Sequence, residues 1–131
     1  MKFRNLIGAA VLAACGVAHA GEYGRWNEIS TTVDGTDRYD VKVGSLVATP
    51  KIAFITARDV NLQTHEITFR LMGLGLQSCA RQMGQLHVFD LSGNKIMSQE
   101  FVLGGDTVAA QIAETICDLA QSRSRRPAAD L

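Results

Sequence analysis

Between positions 25 and 103 apolar and polar residues alternate in short runs, and only near the end of the chain does the pattern change to a helical period. The cleanest alternation spans 65–72, where Ile67, Phe69 and Leu71 fall on one side and Glu66, Thr68, Arg70 and Met72 on the other. A period of two belongs to a β-strand with one covered and one wet face. The side bearing Glu66, Thr68, Arg70 and Met72 is therefore the predicted solvent face and a candidate binding surface. Residues 51–60 differ, because Ile52 and Phe54 alternate with Ala53, Ile55 and Ala57; apolar on both sides, this strand is predicted to lie centrally. Segments 25–33 and 38–43 flank Asp34-Gly35, while 85–91 and 95–103 flank Ser92-Gly93-Asn94, and both arrangements predict hairpins. Residues 44–50 predict a loop, since Pro50 disfavours helix at Thr49 and has no N–H for a central ladder. Gly73 and Gly75 are expected to end or bend the strand before them.

The helical period occupies 106–121. Val108, Ile112, Ile116 and Leu119 form one apolar stripe, and Ala109, Ala113 and Ala120 form a second, of small residues, with Cys117 among them. Asp106 follows two glycines and is the predicted N-cap. Residues 122–131 contain Arg123, Arg125, Arg126 and Pro127 with almost nothing to bury, which predicts a frayed, disordered tail. Six strands in sequential hairpins followed by one helix make an α+β fold: an antiparallel sheet of about six strands with the C-terminal helix on one face.

The first 20 residues stand apart. Lys2 and Arg4 precede an apolar or small run from Leu6 to Ala14, and Ala18-His19-Ala20 is the small-x-small pattern of a signal-peptidase site. The same stretch contains Leu12-Ala13-Ala14-Cys15-Gly16, which has the form of a lipoprotein processing site with Cys15 as the lipidated residue. Two mature forms follow, one beginning at Gly21 and one anchored to the outer membrane through Cys15. Either one places the 21–121 domain outside the cytoplasm, in the periplasm or on the outer membrane of a Gram-negative cell. Either one also removes Cys15 from disulfide chemistry, leaving Cys79 and Cys117 as an even pair in an oxidising compartment. Their bond would clamp the closing helix to the middle of the sheet.

Charge and motifs narrow the function. Losing Lys2 and Arg4 leaves 11 basic against 13 acidic residues, a net of −2, which argues against nucleic acid as a partner. His65 and His87 lack a second ligand at metal-site spacing. Asp34, Asp37 and Asp40 do not have the alternate spacing of a calcium loop and read as turn acids. Gly73-Leu74-Gly75 lacks the third glycine of a phosphate loop, and no Gly-x-Ser-x-Gly elbow is present. Nothing points to a catalytic residue, a metal or a cofactor.

The signal is followed by Trp26 at the opening of the first strand, Asp34-Gly35 at the turn and Tyr39-Asp40 in the second strand. Ser78-Cys79-Ala80-Arg81 lies in mid-chain and Ile116-Cys117 in the closing helix. In this layout, over about 24–121, the chain resembles the surface-adhesin protein E-like domains of Gram-negative envelopes. The resemblance implies a small antiparallel sheet with a disulfide-tied C-terminal helix, acting as a non-enzymatic surface or periplasmic binding module. Its named member type is a lipoprotein adhesin for host proteins. The expected function is therefore cell adhesion or another protein contact at the envelope. The alternative is a periplasmic inhibitor or immunity protein that plugs a toxin or hydrolase, a role that a disulfide-held domain of this size also suits.

Overall fold

The computed structural model describes residues 25–42 and 44–124. The predicted signal with Cys15 and all of the predicted tail beyond Ser124 fall outside these residues. The sheet is built from β1 (Trp26–Thr31), β2 (Asp37–Lys42), β3 (Val47–Ala48), β4 (Ile52–Asn61), β5 (Ile67–Gly75), β6 (Met83–Phe89) and β7 (Lys95–Val102). Two helices accompany it, α1 (Gln77–Arg81) and α2 (Val108–Ser124). All pairings are antiparallel, in the order β1-β2-β4-β5-β6-β7, and β3 pairs with β4 beyond the end of β2.

Strand β4 is central, as its two apolar faces require: Ala53, Ile55 and Ala57 are buried while Phe54 and Thr56 on the other side are half-buried. Both predicted hairpins form. At the first, the Asp34 carboxylate accepts from the Thr36 amide and from the Thr32 and Thr36 hydroxyls. At the second, Asp90 accepts from the Ser92 and Asn94 amides around Gly93, whose φ of 94° is open only to glycine without strain. The predicted loop at 44–50 contains the short strand β3, which pairs Val47 with Phe54 and Ala48 with Ala53. Strand β5 does not stop at Gly73. It continues to Gly75, and Gly73 stands opposite Phe54 where a Cβ would overlap the Phe54 ring. That glycine is there for close approach, not for a turn.

Helix α2 departs from the sequence expectation in three ways. Its cap is Thr107, whose Oγ1 accepts from the Ala110 amide at 3.1 Å, and not Asp106. Its buried face is Ala109, Ile112, Ala113, Ile116 and Cys117, so the stripe is centred on the small residues, and Leu119 is 39% exposed. It also takes up Ser122–Ser124, which the sequence assigned to the tail. Small side chains at the contact let the sheet approach the helix axis closely, and the centre of burial follows them.

The sheet curls around this helix. The N-terminal half of α2 lies by Tyr39 and Met97 and its C-terminal end by Pro50 and Leu76, so it runs along β4. It nevertheless touches both edge strands, β1 and β7. A flat sheet of six strands is about 24 Å wide, and a helix of about 10–12 Å cannot reach both its edges. The sheet must wrap, leaving a concave side filled by α2 and a convex side on which, among the described residues, no element packs. Cys79 in α1 closes the arrangement, bonded to Cys117 with Cα atoms 5.7 Å apart. Helix α1 rests on β6 at Gly84, where a Cβ would collide with Ser78.

The bond closes a loop of 38 residues, which on the chain-entropy model stabilises by about 4 kcal/mol. Cys117→Ser is expected to lower the unfolding free energy by about 3–4 kcal/mol, measured by urea titration without reductant. The same titration with reductant should bring the two proteins together, because both then lack the cross-link.

Candidate functional site

Antiparallel partners share a face, so the register divides the side chains cleanly. Val41, Ala57 and Arg70 form one cross-strand row, and Ile55, Met72, Val88 and Met97 form another, both on the concave side. The candidate surface of Glu66, Thr68, Arg70 and Met72 is accordingly not the wet face of β5. Met72 is 4% exposed in the core, Arg70 and Thr68 are half-buried facing inward, and Glu66 is an exposed residue just before the strand. The alternation is real but its sides are reversed: Ile67 and Phe69, 45% and 43% exposed, point to solvent on the convex face. The side covered is decided by where α2 packs, which β5 does not encode alone.

The convex face holds two side-chain clusters. In the first, Asp40 is 2% exposed and held by two arginines. Arg38 donates to both carboxylate oxygens, Nε to Oδ1 at 2.9 Å and a terminal nitrogen to Oδ2 at 3.0 Å, and Arg58 Nε donates to Oδ2 at 2.8 Å. Arg58 in turn lies 4.4 Å from the ring centroid of Trp26, a cation–π contact. Trp26 reaches from β1 across β2 and β4 to Phe69 in β5, with ring centroids 5.9 Å apart. Each group is thus fixed by the next. Burial pushes the Asp40 carboxyl up, but the Arg38 and Arg58 hydrogen bonds outweigh it and hold it below the ordinary carboxylate range. Asp40 is consequently no turn acid; of the three early aspartates only Asp34 serves that way. Glu28 stands opposite Asp40 on β1 and also acts on Arg38, so two carboxylates face the two guanidiniums.

In the second cluster Phe54 meets Phe89 edge-on at 5.7 Å, and the His87 ring lies 6.5 Å from Phe89. His87 Nδ1 is 2.8 Å from the Ser98 hydroxyl. Burial, helped by Lys95, pushes the imidazole pKa below its usual value, so the ring is neutral at pH 7. His65 is remote, in the turn before β5 with a φ of 67°. No group of three His, Cys, Asp or Glu capable of holding a metal occurs among the described residues.

The concave side is apolar under α2 but becomes polar toward the far ends of β2, β4 and β5. There a cavity of about 290 Å³ lies between sheet and helix, lined by Tyr39, Asp59 and Arg70 with Met72, Leu86 and Ile112. Tyr39 and Asp59 hydrogen-bond, yet Asp59 Oδ1 is buried with no partner. Burial and the nearby Asp37 raise the Asp59 carboxyl, and burial and Asp59 push the Tyr39 phenol up to about 12.

The Asp40 cluster gives a pH signature of definite sign. A carboxyl depressed in the folded state stabilises above its unfolded pKa, and that stability is lost as pH falls through the folded value. Asp40→Asn should cost about 2 kcal/mol at pH 7, less than the ~3–5 of a fully buried pair because both arginines reach solvent. Chemical denaturation across acidic pH should show the difference shrinking below the ordinary carboxylate range and vanishing once Asp40 is protonated in the wild type.

Compared with known protein families, curated proteins and solved structures, the chain matches none.

Proposed function

We propose that this chain is a non-enzymatic, exported binding module of the cell envelope that takes a protein partner on its convex sheet face. The observation that carries the reading is the Trp26–Arg58–Phe69 cluster braced by buried Asp40. Tryptophan and arginine are the side chains most often found at the energetic centre of protein interfaces. Here both are held in place before any partner arrives, so little side-chain entropy remains to be lost on binding. Ile67 and Ile52, exposed on the same face, extend the apolar surface to either side.

The resemblance to surface-adhesin protein E-like domains supports the same role and adds an address, the periplasm or the outer membrane. Adhesion to host or envelope proteins is the form of contact that this resemblance favours, with Cys15 as the lipid anchor of a surface-displayed form.

The test begins with Trp26, the single tryptophan of the chain. Its fluorescence should change when a true partner binds. Candidate host matrix and envelope proteins are immobilised and titrated with the purified 21–131 chain. Phe69→Ala and Arg58→Ala are expected to weaken the bound partner at least about tenfold each, roughly 1.4 kcal/mol, with the far-ultraviolet circular dichroism unchanged. Retained affinity in both variants would overturn the convex-face reading. Antibody labelling of intact cells, before and after protease treatment, separates surface display from a periplasmic location, and mass spectrometry of the mature N-terminus separates Gly21 from lipidated Cys15.

A further inference from the structure

Strand β7 ends the sheet on one side, and no strand among the described residues pairs with its outer edge. Every residue from Lys95 to Glu100 is exposed, and after buried Phe101 comes Val102 at 58%. An edge of this kind is a template for another strand unless it is blunted. The opposite edge, β1, is blunted by a bulge in its middle, where the register slips between Glu28 and Ser30. In β7 the slip lies near the start: Val88 stands opposite Met97 but Phe89 opposite Lys95, so Ile96 is the extra residue. From Met97 to Val102 the strand is regular and its edge is open.

Hydrogen bonding fixes which groups that edge offers. In an antiparallel ladder successive residues turn their N–H and C=O alternately to one neighbour and to the other. The Leu103 amide donates to the Gln82 carbonyl, so Leu103, Phe101, Gln99 and Met97 face β6, while Val102, Glu100 and Ser98 turn their backbone groups outward. The Val102 carbonyl is already taken by the Gly105 amide, which ends the open stretch. A strand added here therefore meets Ser98 and Glu100.

The side chains select the strand. Lys95, Ser98 and Glu100 lie on the convex side, opposite Phe89, His87 and Gln85. Ile96 and Met97 both line the concave cavity, so the bulge spends two residues on one concave position and makes Lys95, Ser98 and Glu100 successive on the convex side. A second β7 laid antiparallel about a two-fold axis through Ser98 sets Lys95 of each copy opposite Glu100 of the other. Moving the axis one position either way sets Ser98 opposite Lys95 or opposite Glu100, and moving it to Glu100 opposes like charges. Only the Ser98 axis matches both charges. Such an axis, perpendicular to the sheet, keeps convex side with convex side and closes on itself, giving a pair and not a fibre.

We propose that β7 is a self-association edge, through which two copies of the chain join their sheets antiparallel. Ser98 of each copy donates its amide to the Ser98 carbonyl of the other, and Lys95 and Glu100 pair across the join. One strand edge covers less than the roughly 1,200–2,000 Å² of a stable interface, so the dimer is weak and depends on concentration. The Trp26, Arg58 and Phe69 cluster lies on β1, β4 and β5 and stays uncovered.

Sedimentation equilibrium of the oxidised 21–131 chain at low ionic strength should show a monomer–dimer equilibrium that weakens as salt is raised. Glu100→Lys and Lys95→Glu are each expected to weaken it at least about tenfold, and the two exchanges combined should restore it to within about threefold of the wild type. Ser98→Pro removes an outward N–H that β6 does not use, and should abolish the dimer with the circular dichroism unchanged. Phe69→Ala, on the convex face away from the join, should leave the dimer constant as it is. A dimer that both single charge exchanges leave intact, or that Phe69→Ala dissolves, would overturn the proposal. So would a chain that stays monomeric up to about 1 mM, which would leave the edge to an extended segment of a different protein. If Ser98→Pro fails to fold, the charge exchanges still decide.

Discussion

The close seating of α2 in the curled sheet is the constraint from which the rest follows. It depends on side chains that do very little by themselves, since Ala109, Ala113 and Cys117 contribute small volumes to the contact. What they allow is proximity: Ile112 and Ile116 reach full burial between strands, and Cys117 comes within bonding distance of Cys79. A bulkier stripe would hold helix and sheet apart and flatten the sheet. The disulfide secures what packing has already brought together and limits the unfolded chain more than it shapes the folded one.

Wrapping the sheet around one helix uses up one face and, among the described residues, leaves the other without cover. The convex face is therefore where charge and aromatic rings must be managed by side chains alone. Asp40 neutralises part of Arg38 and Arg58, Arg58 orders Trp26, and Trp26 meets Phe69. On the concave side the packing is dense under the helix and incomplete at the Asp59 end, where hydrophobic rows give way to Tyr39, Asp59, Thr68 and Arg70. One architectural choice thus produces a preorganised outer surface and an inner cavity, with different polarity and different access.

Local chemistry was legible in the sequence wherever one segment decides the outcome. Asp34-Gly35 and Ser92-Gly93-Asn94 specify their hairpins, β4 declares its central place by being apolar on both sides, and Cys79 and Cys117, once Cys15 is set aside with the first 20 residues, have one bond to make. The α+β class and the Cys79–Cys117 bond follow from these. The sidedness of β5 was not legible, because alternation defines two faces and not which of them α2 covers; Thr68 and Arg70 look like solvent residues and instead face inward, Arg70 lining the cavity. Asp40 looked like a turn acid because its second partner, Arg58, lies 18 residues away. The contact of Trp26 with Phe69 likewise joins strands that are not neighbours in the sheet, and no spacing reveals it. The only hint was composition: a tryptophan beside charged strands in a chain with few aromatic residues.

The division of the sheet into a covered and an uncovered face is tested most directly by hydroxyl-radical footprinting of the folded, oxidised chain. Phe69 and Met83, 43% and 56% exposed on the convex side, should be labelled rapidly, whereas Met72, 4% exposed beneath α2, should be protected. Rapid labelling of Met72 together with protection of Phe69 would mean that the helix lies on the opposite face, and the account of both surfaces would be wrong.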